Sequence, residues 1–202
     1  MKQPNVADGV HVAGLDDIRV RPYGVLDGER LRRMSRDLSR HSLYSRFFSG
    51  TPSLPEAYLT ALNAIDHWNH EALVALLDGE IIGVAEYVRD RAEPRRAELA
   101  VLVTDPWQRR GLARRMVVNL AELAERRGIR EFDAEVILGN REAMLALGSG
   151  WPAVRARSED GAARYSLPLP IPFPARAPVE PAALAVRRLA RARPGEGANP
   201  GC

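Results

Sequence analysis

The stretch LVTDPWQRRGLARRMVVNLAELAERRG, residues 102–128, decides how the chain is read. An apolar run ends in Asp105-Pro106, a basic loop with a single glycine follows, and a regular amphipathic helix begins. Apolar residues stand at 112, 113, 116, 117, 120, 121, 123 and 124, one face of a 3.6-residue period. Gly128 sits where a C-cap glycine belongs, so the helix is predicted over 112–127. Gln108, Arg109, Arg110 and Gly111 stand at its mouth. Either they form a strand-to-helix turn that happens to be basic, or they cradle a phosphorylated ligand. The first amides of a helix have no intrahelical partner, and the aligned peptide dipoles make that end partly positive. A diphosphate placed there meets free donors and a favourable field.

Outward from this point the elements alternate. AELAVLVT (97–104) reads as a strand entering the loop. Before it, EALVALLDGEIIGVAEYVRD (71–90) holds two apolar runs, 72–77 and 81–88, around Asp78-Gly79, a preferred tight-hairpin pair. Further upstream, DIRVRP (17–22) alternates like a strand, residues 26–38 carry a helical apolar period, 41–52 read as a turn with an aromatic cluster, and 55–65 as a helix opened by Pro55. Downstream, IREFDAEVI (129–137) is a strand, NREAMLALG (140–148) a short helix, and WPAVRA with ARYSLPL a final strand pair. A strand-helix-strand order implies a parallel crossover. The expected fold class is α/β: a mixed sheet opening as an antiparallel meander, with a parallel crossover after the basic loop, flanked by helices.

Composition narrows the function. The chain has 202 residues, 46% hydrophobic and 27% charged, with a net charge of +3. Much of the positive excess is tail arginine (Arg176, Arg187, Arg188, Arg191, Arg193) and aromatics are only 6%, which argues against a nucleic-acid face. The only cysteine is Cys202, so no intramolecular disulfide or multi-cysteine zinc site can form. His67 and His70 lack an evident third ligand, so no metal is expected. No apolar run reaches membrane-spanning length and the N-terminus lacks a signal-peptide core, so a cytoplasmic protein without membrane contact is expected. The expected organisation is a loose N-terminus (1–16), one domain (17–168) and a disordered Pro/Ala/Arg-rich tail (169–202), in which 181–192 could form a basic helix. No P-loop or G-x-G-x-x-G motif is present.

The loop QRRGLA fits Q-x-x-G-x-A. With its strand, its helix and Asn140 after the next strand, it resembles the GNAT superfamily of acetyl-CoA-dependent N-acetyltransferases over roughly residues 17–168. SLYSRFFS (42–49), HEALVALLDGEIIGVAEYV (70–88) and AELAVLV (97–103) are similar to the GNAT domain of bacterial protein-lysine acetyltransferases. The resemblance implies a splay beside the central strand and acetyl-CoA as co-substrate. It implies Val101, Leu102 and Val103 along the pantetheine arm, and Gln108, Arg109, Arg110, Gly111, Leu112, Ala113 and Arg114 around the diphosphate. Asn140 is expected to bond the cofactor arm or to cap its helix. Glu98, an acid inside an apolar strand, is the candidate general base, with partial burial expected to raise its pKa. Its alternative is an ion pair with Arg89 or Arg96. The tyrosine that often serves as general acid is replaced by Leu147. The expected reaction is direct attack of a primary amine in a ternary complex, the acceptor being a protein lysine. A small-molecule amine, or a non-catalytic acyl-CoA-binding role, stands as the alternative.

Overall fold

The computed structural model describes residues 13–172. Seven strands, β1 (Arg19–Pro22), β2 (His70–Leu77), β3 (Glu80–Arg89), β4 (Arg96–Val103), β5 (Glu131–Ile137), β6 (Arg157–Glu159) and β7 (Ala162–Pro168), form one sheet in the order β1-β2-β3-β4-β5-β7-β6. Only β4 and β5 run parallel; every other neighbouring pair is antiparallel. The helices are α1 (Gly28–Met34), α2 (Arg40–Phe47), α3 (Glu56–Asn63), α4 (Leu112–Arg126) and α5 (Arg141–Gly150).

The β2–β3 hairpin turns on Asp78 and Gly79, with φ of 51° and 83°, as a two-residue turn of that sequence requires. Between Ala75 and Leu76 the register shifts, and Ile82 is the extra residue on β3. The bulge switches sides, so that Ile81 and Val84 belong to one core while Ile82 and Ala85 belong to the other. One core lies between the sheet and α4, where Leu112, Met116, Leu120 and Ala124 meet Tyr87, Leu99 and Phe132. The other packs α1 to α3, through Leu31, Met34, Leu43, Leu59 and Leu62, on Val74, Val84 and Leu102. The sheet is therefore covered on both faces, which explains why β2 and β3 read as continuous apolar runs.

Three expectations change. Residues 41–52 are not merely a turn: α2 runs through the first part, started by Ser39, whose hydroxyl accepts from the Ser42 amide at 3.1 Å. Residues 151–156 form no strand; the last hairpin is β6 with β7. The packed region is also wider than 17–168, since Leu15 and Ile171 pack against the α4-side core and Leu169 is buried in it. The rest of the tail expected to be disordered, from 173 onward, lies outside the described residues.

Candidate active site

The basic loop has the geometry of an anion cradle. Gly111 is the N-cap of α4 with φ of 88°, and Arg109 also lies at positive φ, 58°. A side chain at 111 would be strained by that backbone whatever the space around it. The intrahelical ladder begins with the Arg115 amide bonding to Gly111 O at 3.1 Å. The Leu112 and Ala113 amides lie ahead of that bond, in the first turn, where a helix offers no intrahelical acceptor. Arg109, Arg110 and Arg114 are solvent-exposed around this end, with the Arg110 guanidinium 4.9 Å from the centre of the Trp107 ring. These features fit a diphosphate.

Two neighbours serve differently from a direct ligand contact. Leu112 is fully buried, so its side chain belongs to the core and only its amide faces the loop. Gln108 turns its amide nitrogen inward, donating to Ser42 Oγ at 2.9 Å, Val103 O at 3.0 Å and Asp105 Oδ1 at 3.2 Å. Ser42 in turn donates to Asp105 at 2.7 Å. Gln108 thus fixes the loop to β4 and α2. Burial pushes the Asp105 carboxyl up, but the hydrogen bonds from Ser42 and Ser39 outweigh it and leave it below its ordinary value.

Beside the loop, β4 has an open edge. The Thr104 amide bonds to Ile82 O and the Asp90 amide to Arg96 O, each at 2.9 Å. Backbone groups alternate along a strand, so the even-numbered residues of β4 face β3 and the odd-numbered ones face β5. Pairing with β5 covers only 96–98 against 131–133. Beyond Glu98 the two strands part. Leu99, Val101 and Val103 therefore turn backbone groups into the gap, where an extended amide-bearing arm can pair as a strand would. Of residues 101–103, Leu102 is the exception: its backbone faces β3 and its side chain is buried in the α1–α3 core. The Val103 carbonyl is already taken by Gln108.

Glu98 stands where the gap opens. It lines a pocket of about 150 Å³ with Arg46, Tyr58, Ala61, His70, Glu86, Val88 and Ala100. The expected burial is not found: Glu98 is exposed. The ion pairs offered as its alternative are absent. Arg96 is held by Asp133 and by Glu131 (2.8 Å), and Arg89 donates to the carbonyls of Pro94 and Arg127. Among the described residues, the Glu98 side chain makes no hydrogen bond or salt bridge.

Asn140 caps α5, accepting from the Ala143 amide at 3.1 Å, so the capping role is realised. Leu147, at the tyrosine position, packs against the α4-side core. His67 pairs with buried Glu71 at 2.9 Å, and among the described residues no cluster has metal-binding composition.

Sequence reasoning missed Glu86, Arg46 and Tyr58. Glu86 is buried, with Oε1 2.5 Å from Arg46 Nη2 and Oε2 2.8 Å from His70 Nε2. Burial pushes its carboxyl up, while the His70 hydrogen bond and the Arg46 charge pull it down, and the balance falls below the ordinary glutamate value. The Arg46 guanidinium lies 5.0 Å from the Phe47 ring centre and 5.3 Å from that of Tyr58. The signal was present: Glu86 interrupts IIGVAEYV as Glu98 interrupts AELAVLV, and register places both side chains on one face.

Comparison with known proteins bears on the fold and the family. The model of the acetyltransferase (GNAT) family matches residues 39–147. An acetyltransferase of Pseudomonas aeruginosa is 32% identical over 152 residues, 70% of this chain and 81% of that protein. Acetyltransferase Pat of Mycolicibacterium smegmatis is 32% identical over 138 residues, 65% of this chain but only 41% of its own length. The crystal structure of the GNAT domain of S. lividans PAT superposes with a TM-score of 0.70 at 32% identity, covering 75% of this chain and 90% of that one. A Salmonella typhimurium acetyltransferase solved with acetyl-CoA shares the fold, with a TM-score of 0.61 at 16% identity over 76% of this chain and 94% of that one. The chain belongs to the GNAT acetyltransferase family. It is an N-acetyltransferase, and acetyl-CoA is the donor that GNAT acetyltransferases use.

Proposed function

We propose that the protein transfers acetyl from acetyl-CoA to the side-chain amine of a protein lysine, with Glu98 as general base. The observation that carries this reading is the position of Glu98: one residue joins the mouth of the β4–β5 gap to the pocket on the helical face. The odd-numbered backbone of β4 would hold the pantetheine arm, and the loop from Arg109 to Ala113, with Arg114, would hold the diphosphate. Gln108 keeps that loop in shape.

A lysine amine is mostly protonated at neutral pH. Glu98, open to solvent, takes its proton and passes it to bulk water. The amine nitrogen forms a bond to the thioester carbonyl carbon, a β4 amide facing the gap steadies the carbonyl oxygen, and the carbon–sulfur bond breaks. The electron pair leaves with sulfur as thiolate. The nitrogen, positively charged after attack, gives its second proton to water, and that proton balances the one the thiolate takes from water, since Leu147 offers none. This direct transfer needs no acyl-enzyme.

The size of the pocket favours lysine over a drug-like amine. Sites for such ligands span roughly 300–1,000 Å³, whereas this pocket of about 150 Å³ suits one unbranched side chain. Arg46 also offsets one of its two carboxylates, which disfavours polycations. The resemblance of 42–49, 70–88 and 97–103 to protein-lysine acetyltransferases points the same way. Incubation with acetyl-CoA and a lysine peptide library, read by mass spectrometry, tests the reading. Acetylated lysines are the expected product. Turnover confined to free small amines would replace it with the small-molecule alternative, and acetyl-CoA binding without turnover with the regulatory one.

A further inference from the structure

Glu86 has no part in the proton transfer described above, yet it lies in the same pocket. A carboxylate has about four lone-pair directions. Arg46 and His70 account for one hydrogen bond on each oxygen, leaving acceptor capacity unused. Beside it, the Tyr58 hydroxyl is shut off from solvent and forms no hydrogen bond of good geometry, although the Glu86 carboxylate and the Arg46 guanidinium lie close enough to act on it. Leaving such a group unpaired costs about 1–3 kcal/mol, and Tyr58 lines the pocket itself. Its ring needs no hydroxyl for packing, since it already meets Phe47 edge-on at 5.2 Å and the Arg46 guanidinium. Val88, Ala61 and Ala100 supply apolar wall. The pocket therefore combines a short aliphatic lining, one fixed anion, one poorly bonded hydroxyl and one exposed carboxylate.

We infer that Glu86 and Tyr58 form the recognition site for the acceptor in its cationic form, an unbranched primary alkylammonium, distinct from the base Glu98. This deepens the lysine reading and rests on it. The amine arrives as an ammonium, because that is its dominant form in solution. Glu86 draws it in with a charge-assisted hydrogen bond, and the Tyr58 oxygen accepts a second N–H once a small turn of its ring opens it to the pocket. Glu98 then removes one proton. The two carboxylates have separate tasks because their surroundings differ: Glu86 is buried and held on both oxygens, whereas Glu98 is exposed and unpaired. Arg46 and His70 hold the anion in place and are positioning residues.

The test is calorimetric titration of the coenzyme A-bound protein with two blocked tripeptides, acetyl-Gly-Lys-Gly-amide and its norleucine counterpart, which keeps the chain and loses the charge. The native protein is expected to bind the lysine peptide about tenfold or more tighter, the worth of one charge-assisted hydrogen bond. Glu86→Gln removes most of that preference and Tyr58→Phe reduces it, with coenzyme A affinity unchanged in both. Tyr58→Phe also keeps the aromatic packing and should melt no lower than the native protein, which separates recognition from a structural role. Equal preference in the native and both variant proteins overturns the inference, as does no preference in the native protein. Turnover of lysine peptide, measured separately with acetyl-CoA, reads the lysine proposal independently. A preserved charge preference without turnover would sink that proposal and leave this site standing.

Discussion

Glu98 of β4 and Asp133 of β5 are the last residues in register before the only parallel pair in the sheet separates. Arg96 seals the joined end by bonding Asp133 and pairing with Glu131. The open end begins at the next residue, so the unpaired edge of β4 and the candidate base are products of one topological event. If that edge binds the cofactor arm, removing a single donor from it should be felt. Val101→Pro deletes an amide that faces the gap and spares the hydrogen bonds to β3. Acetyl-CoA affinity should fall by about three- to tenfold, the net worth of one hydrogen bond. Circular dichroism should show the fold intact. Unchanged affinity in a folded variant would mean that the arm does not pair with Val101.

The cradle at α4 depends on Gly111. Its φ of 88° disfavours any side chain, and a carboxylate there would also oppose the phosphates. Gly111→Ala is expected to destabilise the fold by roughly 1 kcal/mol or more through backbone strain. Gly111→Glu should add a loss of acetyl-CoA affinity beyond the alanine variant, read by calorimetry with adenosine diphosphate as a control ligand. Equal affinities for the two variants would show that the loop is a basic turn and no phosphate site.

On the α4 side of the sheet, buried Glu71 pairs with Arg127 at 2.8 Å, and Arg127 also donates to the Tyr87 hydroxyl at 2.8 Å. Arg127→Met leaves the Glu71 carboxylate with His67 and the Ala72 backbone amide as its remaining partners. Removing one partner of a buried pair typically costs about 3–5 kcal/mol. Chemical denaturation should show a loss of that order, and a loss below about 1 kcal/mol would mean the pair behaves like a surface bridge.

Acid should act on the helical side through Asp27, which is held by Arg21 at 2.6 and 2.8 Å and by Arg30 at 3.0 Å. The Arg21 hydrogen bond is the main cause that lowers its carboxyl to about 2. A depressed carboxyl contributes stability that is full above its unfolded value, near 3.8, and is lost as pH falls toward 2. Asp27→Asn should therefore be less stable at neutral pH and show a flatter stability profile between about pH 4 and 2. An unchanged slope in that window would assign the acid sensitivity elsewhere.

Much of the scaffold was legible because its signals are local. Asp78-Gly79 dictates its own turn, α4 shows its period over fifteen residues, and the one-glycine loop announces a helix mouth. Helix α2 was hidden because its start rests on a hydroxyl cap and its face packs on a distant strand. The same distance hid half of the site. Glu98 stood out as an acid in an apolar strand, but its exposure depends on which helices cover β4. Glu86 carried the same local signal, yet its partners come from α2 and β2, and only the folded sheet brings Arg46 and His70 to it. The motif alone suggests a ligand contact for Gln108 because it borders the loop, while its side chain bonds Ser42, which a linear motif does not show.

The central claim is that Glu98 is the base of an amine acetyl transfer. Initial rates with acetyl-CoA and a single-lysine peptide, compared between the native protein and Glu98→Gln, test it most directly. The account predicts a fall in kcat of about 10²–10⁴-fold, the usual contribution of a positioned base, with acetyl-CoA affinity unchanged. Full turnover by Glu98→Gln on every accepted amine would contradict it.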